Sequence, residues 1–316
     1  MKGKKVVVTG GAGFIGSNIA QELSKDNQVT VVDNLSTGYL ENIEDLINSR
    51  DIIFVKGSIT NIDILQKLFE DVDYIFHQAA IPSVPRSVKD PISSNYTNVN
   101  GTLNVLVAAR DNNVKKIVYA SSSSAYGDTP VLPKSEDMKP CPLSPYAISK
   151  LAAEYYCQVF SEVYNLATAS LRYFNVFGPR QDPSSEYAAV IPKFFDSILN
   201  DKSPIVYGDG EQTRDFTFVD DVVNANILAA ESRSTGVFNI AGGKRISINE
   251  LAGLIMEILG KDLDITHIEP QPGDIKHSLA DISKAGEQLR YIPKFNVKDG
   301  LKETVKWFQQ IMWKMK

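Results

Sequence analysis

The sequence holds only two cysteines, Cys141 and Cys157, in 316 residues. That is too few for a disulfide framework and fits a reducing compartment. Three histidines, His77, His267 and His277, are scattered without metal-ligand spacing, so no metal is expected. Lysine and arginine never gather into a block, and the formal charge is -5. Nucleic acid is therefore not expected as the main partner. Any phosphate must be held locally, by helix ends and single arginines. No apolar run reaches membrane-spanning length, so no membrane association is expected. Lys4-Lys5 leads straight into a strand pattern and a glycine turn rather than into a signal peptide, which points to the cytoplasm. Repeats, low-complexity tracts and a long linker are also missing.

What is present begins with Lys5-Val6-Val7-Val8-Thr9, a β-branched run that reads as a buried parallel strand. Gly10-Gly11-Ala12-Gly13-Phe14-Ile15-Gly16 follows at once, then a helical pattern through Ile19, Ala20 and Leu23. Gly11, Gly13 and Gly16 satisfy G-x-G-x-x-G between a strand and a helix. Such glycines allow a tight turn, close approach of backbone to a pyrophosphate, and close packing of helix on strand. The helix start then offers free N–H groups to the negative charge. A second strand, Gln28 to Val32, ends in Asp33, about 20 residues past the glycines, where an acid binds a ribose hydroxyl. An acid there repels a 2′-phosphate, so the dinucleotide expected is NAD rather than NADP.

Further strand patterns cover Ile52 to Gly57, Val72 to His77, Lys116 to Ala120 and Ala167 to Tyr173, with helical patterns between them. This alternation predicts an α/β fold, a doubly wound parallel sheet of the Rossmann type. Strand carboxyl ends form the ligand edge of such a sheet. At those ends stand Asn34, Ser58, Ile59, Gln78-Ala79-Ala80, Ser121-Ser122-Ser123 and Tyr173, with Thr97 nearby at the start of a helical pattern. His77 reads as a packing or hydrogen-bonding residue. Beyond Tyr173 the elements shorten. The expected division is a dinucleotide domain over 1–176, with segments near 215–242 returning to it, and a smaller α+β domain over 177–316. Arg214 to Val219 reads as a single strand, and Leu301 to Ile311 as an amphipathic helix in which Trp307 and Ile311 pack.

Tyr146-Ala147-Ile148-Ser149-Lys150 opens a helical pattern after a proline-rich loop. Tyr146 and Lys150, four apart, share one helix face. A phenol is a weak base at neutral pH, and an ammonium beside it should lower its pKa. The pair then becomes a tuned acid/base.

Together these motifs resemble the extended short-chain dehydrogenase/reductase superfamily. Gly10-x-x-Gly13-x-x-Gly16, the serine strand end and Tyr146-x-x-x-Lys150 occur in its order. Within it, several stretches are similar to UDP-N-acetylglucosamine 4-epimerases. They are Arg172 to Gly178 with Gln181-Asp182-Pro183, Ala188 to Pro192, Gly208 to Glu211 with Arg214-Asp215-Phe216, and Pro272-Gly273-Asp274 with Ser278.

The resemblance implies a bound NAD that takes hydride from C4 of a UDP-sugar and returns it to the other face. It implies Tyr146 as base and then acid, Lys150 as the ammonium holding it and the cofactor, and Ser122 bonded to the sugar O4, with Ser123 as the alternative by one position. Gly10, Gly13, Phe14, Ile15, Gly16, Asp33, Asn34, Ser58, Ile59, Gln78, Ala79, Ala80, Thr97, Ser121 and Tyr173 are the remaining candidates toward the cofactor. Ser83, Asn175, Ala189, Val190, Tyr207, Arg214, Asp274 and Ser278 are those toward the UDP-sugar. Ser278, four residues after Asp274, stands where a bulky tyrosine goes with unacetylated hexoses and a small residue leaves room for an N-acetyl group. Arg86 reads as a sugar contact or a plain surface arginine. The family usually has an arginine where this chain has Gln271, and an acid where it has Ser58. A dehydratase pairs Asp-Glu with its strand-end hydroxyl residue; here Ser123-Ser124 follow instead. A decarboxylase needs a sugar-carboxylate pocket, for which Arg86 is a candidate. An NAD-binding scaffold without chemistry should lack Tyr146 or Lys150. A homodimer is implied through the Asn98–Arg110 and Tyr146–Phe160 helices.

Overall fold

The computed structural model describes residues 1–182, 189–270 and 275–314, with side chains as far as 310. The first half supplies β1 (Lys5–Thr9), β2 (Gln28–Asp33), β3 (Ile52–Lys56), β4 (Tyr74–His77), β5 (Lys116–Ser122) and β6 (Ala167–Tyr173). Its helices are α1 (Phe14–Ser24), α2 (Glu44–Asn48), α3 (Ile62–Leu68), α4 (Val84–Lys89), α5 (Pro91–Asn95), α6 (Gly101–Asp111) and α7 (Pro145–Tyr164). The second half adds short strands β7 (Val176–Phe177), β8 (Ile205–Tyr207), β9 (Thr213–Asp215), β10 (Thr217–Phe218), β11 (Gly236–Ile240), β12 (Arg245–Ser247) and β13 (Thr266–Ile268). Among them run α8 (Val190–Leu199), α9 (Val219–Glu231), α10 (Ile248–Leu259), α11 (Ser283–Leu289) and α12 (Val297–Lys314).

The main sheet has the order β3-β2-β1-β4-β5-β6-β11 with every pairing parallel. It is the doubly wound sheet that the alternation predicted. Val6 and Val8 of β1 pack on one face with Ile19 of α1 and Val222 of α9. Val7 packs on the other with Leu65 of α3, Leu106 of α6 and Cys157 of α7. Period-two alternation therefore buries both faces, which is why β1 reads as an unbroken apolar run. Each such valine contributes roughly 1.5–3 kcal/mol. The strand order turns around between β1 and β4, and a ligand crevice opens at the carboxyl ends there.

A separate apolar cluster holds Phe194, Phe195 and Ile198 of α8, Leu251 and Ile255 of α10, and Leu301, Val305 and Phe308 of α12. Trp307 packs against it, whereas the side chain of Ile311 lies outside the described residues. α10 starts with a reciprocal capping box between Ser247 and Glu250, an arrangement whose cap alone is worth about 1 kcal/mol. α9 lies beside α1, and β11 completes the main sheet, so the chain re-enters the first layer before leaving it again.

Two local readings change, and two short helices are added. Arg214 to Val219 is not one strand: β9 pairs antiparallel with β12, while β10 pairs parallel with β7. Phe216 carries the chain from one two-stranded sheet to the other. The helix expected from Asn98 is preceded by a π-turn over Tyr96–Asn100. Asn98 in that turn exchanges hydrogen bonds with both Ile81 N–H and Ile81 C=O, and a widened turn is a common device at functional sites. α4 and α5 are too short for a period to show. Each begins with a proline in its first turn and a side-chain cap, Ser83 and Asp90 respectively.

Candidate active site

The glycine turn is shaped by close approach. Gly10 has φ +69, and a Cβ there would stand 2.6 Å from Ala79 N. A Cβ on Gly16 would stand 2.2 Å from Gly10 O. Gly10, Gly13 and Gly16 all line the crevice, whereas Gly11 backs onto the Val31 side chain. Gly13 caps α1 without a side-chain hydrogen bond, and the first turn carries no acid, so its N–H groups face the crevice uncompensated. Asp33 ends β2 and is nearly buried. One carboxylate oxygen accepts from Ala12 N–H at 3.0 Å and the other from Leu35 N–H at 2.8 Å.

The crevice encloses about 290 Å³. Every residue proposed toward the cofactor lines it, from the glycine turn through Asn34, Ser58, Ile59, Gln78, Ala79, Ala80, Thr97 and Ser121 to Tyr173. So do Ser36, Thr37, Pro82 and Ala120, which carry no motif. His77 sits behind the crevice and is buried. Its Nδ1 is 2.7 Å from the Thr9 hydroxyl and its Nε2 is 2.9 Å from the Thr102 hydroxyl. The Thr102 hydroxyl donates to Asn98 C=O, so it accepts from Nε2–H, and Nδ1 accepts from Thr9. Burial, with Lys150 nearby, pulls the imidazole down to about 3, which keeps it neutral. It is a hydrogen-bonding residue, as its position suggested. Through Thr9 it reaches Ala79 N–H at the crevice wall.

Ser144 caps α7 by accepting from Ala147 N–H at 3.1 Å, and Pro145 occupies the first helical position. That start sets Tyr146, Lys150 and Glu154 on one face of the first three turns. Lys150 is 3 % exposed, its ammonium 4.8 Å from the Tyr119 ring centroid. Burial pulls Lys150 down to about 8. Tyr146 differs from expectation. Its pKa is raised, because burial of the phenol outweighs everything else, and the opposing influence is the Ser122 hydroxyl rather than the Lys150 charge. Of the two candidate serines, Ser122 is the one whose hydroxyl influences Tyr146. Ser121 donates to Glu154 at 2.7 Å, and Glu154 is paired with Arg172.

Two further cavities adjoin. One, of about 190 Å³, is lined by Ser122, Ser123, Ser124, Asn175, Arg214 and Ser278, with Lys134 and Ile275. The other, of about 330 Å³, is lined by Asn175, Ala189, Val190, Tyr207 and Arg214, with Gln181, Lys193 and Gln212. Asn175 and Arg214 therefore belong to both. Arg214 donates from Nη1 to Thr213 C=O at 3.0 Å, and Asn175, at φ +36, donates to Asp215 C=O at 2.9 Å. Asp215 is fully buried and accepts from Gly242 N–H and Ala280 N–H, which ties β9 to the segment carrying Ser278. Ser83, at φ +95, uses its hydroxyl to cap α4 beside Pro82 of the crevice. Arg86 is partly buried in the same helix. Asp274 and Gln271 lie outside the described residues.

Residues 6–241 match the NAD dependent epimerase/dehydratase family. The chain belongs to that family. A solved UDP-N-acetylglucosamine 4-epimerase from Methanobrevibacter ruminantium M1, in complex with UDP-N-acetylmuramic acid, is 48 % identical with a TM-score of 0.96. The match covers 99 % of this chain and 100 % of that one. A UDP-glucose 4-epimerase from Thermotoga maritima, solved with UDP-glucose, is 39 % identical with a TM-score of 0.93, over 98 % and 99 % of the two chains. A UDP-glucose 4-epimerase of Mycolicibacterium smegmatis is 39 % identical over 96 % of this chain and 98 % of its own.

The family's NAD suits the residues present. The glycine cradle has no room for a Cβ, the start of α1 is uncompensated, and Asp33 stands at the crevice with both oxygens oriented. Both cysteines are free, Cys157 being buried. No helix among the described residues is long and apolar enough to cross a membrane.

Proposed function

We propose that this member of the family is a UDP-hexose 4-epimerase that acts on UDP-N-acetylglucosamine and UDP-N-acetylgalactosamine, and also on UDP-glucose and UDP-galactose. The observation that carries the reading is Ser122. It lines the smaller cavity, Tyr146 lines the cofactor crevice, and the Ser122 hydroxyl is the group that works against the rise in the Tyr146 pKa. A sugar in that cavity has its reacting hydroxyl next to both groups.

NAD in the crevice supplies a reversible hydride acceptor for the sugar C4. Tyr146 takes the O4 proton and later gives it back. Ser122 holds O4 in place during both transfers. Lys150, buried beneath Tyr146 on the same helix, holds the phenol end and the cofactor ribose. Arg214 and Asn175 bind the diphosphate and sugar where the two cavities join, and a guanidinium suits a diphosphate. Ala189, Val190 and Tyr207 line the cavity for the uridine side. Ser278 in the sugar-side wall leaves space for an acetamido group, which favours the acetylated sugars.

Dehydration is disfavoured, because Ser123 and Ser124 follow Ser122 where acids would be needed. The proposal includes a homodimer. Ile148, Val159 and Val163 of α7 and Ile92 of α5 are exposed, as is Tyr96, and together they make an apolar face that a second copy would cover.

The test is to incubate the purified protein separately with UDP-galactose and UDP-N-acetylgalactosamine and to separate the epimers. Both should be converted, the acetylated sugar with the higher kcat/KM. Absence of epimer from either sugar would overturn the reading.

A further inference from the structure

Ser124 carries no motif, yet it is hydrogen-bonded to the group on which the proposed reaction turns. Its hydroxyl donates to Ser122 Oγ at 2.8 Å, and its backbone N–H donates to the same oxygen at 3.2 Å. A serine hydroxyl has one hydrogen and two lone pairs. Both lone pairs of Ser122 are therefore filled from one side. What remains is its own hydrogen, on a side chain that lines the sugar-side cavity.

We propose that Ser124 is a positioning residue that holds Ser122 as a one-way hydrogen-bond donor, so that the Tyr146 oxygen, and not Ser122, accepts the proton of the substrate hydroxyl. The inference deepens the epimerase reading and rests on it. The proton balance follows. The O4 proton passes to the Tyr146 oxygen and returns from it; Ser122 neither gains nor loses one. Ser122 donates to the phenolate oxygen before it takes the proton, or to O4 as that proton leaves, the points at which each oxygen carries negative charge. Accepting two hydrogen bonds also makes a hydroxyl a better donor, since chained hydrogen bonds polarise one another. Ser124 has no hydrogen left for the substrate, because it is committed to Ser122.

The geometry also explains why the run of serines is not redundant. A 3-10 turn over Ser123–Tyr126 follows Ser122, which is its N-cap, and that turn folds Ser124 back over Ser122. Ser123 lies between them in sequence and lines the sugar-side cavity, but the contacts to the Ser122 oxygen come from Ser124.

The experiment uses the whole protein and three variants, Ser124→Ala, Ser124→Thr and Ser122→Ala/Ser124→Ala, with Ser122→Ala as reference. In Ser124→Ala one lone pair of Ser122 is released and its hydrogen is free to rotate. The expected kcat falls about tenfold with KM changed less than about twofold, the scale of one lost hydrogen bond. Ser124→Thr, which keeps the hydroxyl, restores most of the rate. The double variant is no slower than Ser122→Ala. Independently of turnover, the Tyr146 phenol is titrated by NMR of carbon-13-labelled tyrosine, with its signal assigned by loss in Tyr146→Phe. Its pKa rises in Ser124→Ala toward that of Ser122→Ala. Lys150 on α7 and Tyr119 on β5, the titratable groups beside it, are the same in every variant.

A Ser124→Ala protein with wild-type kcat and an unchanged Tyr146 titration would overturn the inference, as would a double variant slower than the wild type by the full product of the two single losses. If the wild type converts no UDP-sugar at all, the epimerase reading fails instead. The titration then still reports whether Ser124 orients Ser122.

Discussion

Glu154 and Arg172 meet in two hydrogen bonds, one of 3.0 Å from Nε and one of 2.6 Å from Nη2, behind the serine end of β5. Neither side chain is more than 3 % exposed. Ser121 donates to the same carboxylate, so the pair backs the cofactor crevice directly. The guanidinium also lies 4.6 Å from the Tyr126 ring centroid. Glu154 is four residues beyond Lys150 on α7, and Arg172 is on β6. The pair therefore joins the helix of the acid/base residues to the sheet.

Removing one partner leaves a buried charge without compensation. Arg172→Met should destabilise the protein by about 3–5 kcal/mol, while Glu154→Met/Arg172→Met should be much milder. Urea unfolding of the two variants checks this. A single variant no worse than the double would mean that the charges are not coupled.

Tyr146→Phe should keep the NAD content of the purified protein and lower turnover by about 10²–10⁴-fold, the usual contribution of a positioned acid/base group. Cofactor release on denaturation and the epimer assay measure the two separately. Wild-type turnover in this variant would remove Tyr146 from the reaction.

Ser278→Tyr should fill the wall of the sugar-side cavity. Activity on acetylated sugars should fall roughly tenfold or more, with UDP-glucose changed far less. Paired kcat/KM values test it. An equal loss on both sugars would argue that Ser278 supports the fold rather than the preference.

His77 gives a prediction on acid stability. Its pKa is about 3 in the folded protein and near 6.5 when unfolded. Between those values the unfolded chain binds the extra proton. Its contribution is therefore complete above the unfolded pKa and is lost as pH falls toward the folded one. From pH 6 to 4 the wild type should lose about 1.4 kcal/mol per pH unit more than His77→Gln. Parallel slopes in urea unfolding would show that His77 is protonated in the folded state.

The elements of the sheet, the glycine turn, Asp33 and the Tyr146–Lys150 pair could all be read from sequence. Each is local: a period of two along a strand, a fixed spacing across one turn, or four residues on one helix. The π-turn at Tyr96–Asn100 could not, because Asn98 is held by Ile81, seventeen positions away in the chain. Nor could the path of Arg214, whose neighbours Thr213 and Asp215 pair with one strand while Thr217 pairs with another.

The sequence by itself determined which chemical groups were available and on which side of each element they would stand. Tertiary structure decided what surrounds them. Tyr146 was expected to be eased toward ionisation by Lys150, but burial raises it and Ser122 opposes the rise. Lys150 is itself pulled down to about 8. A pKa depends on solvent exposure and on neighbours brought from distant elements, and spacing along one helix contains neither. The same holds for Ser124, which is one more serine in a run until the turn after β5 lays it on Ser122.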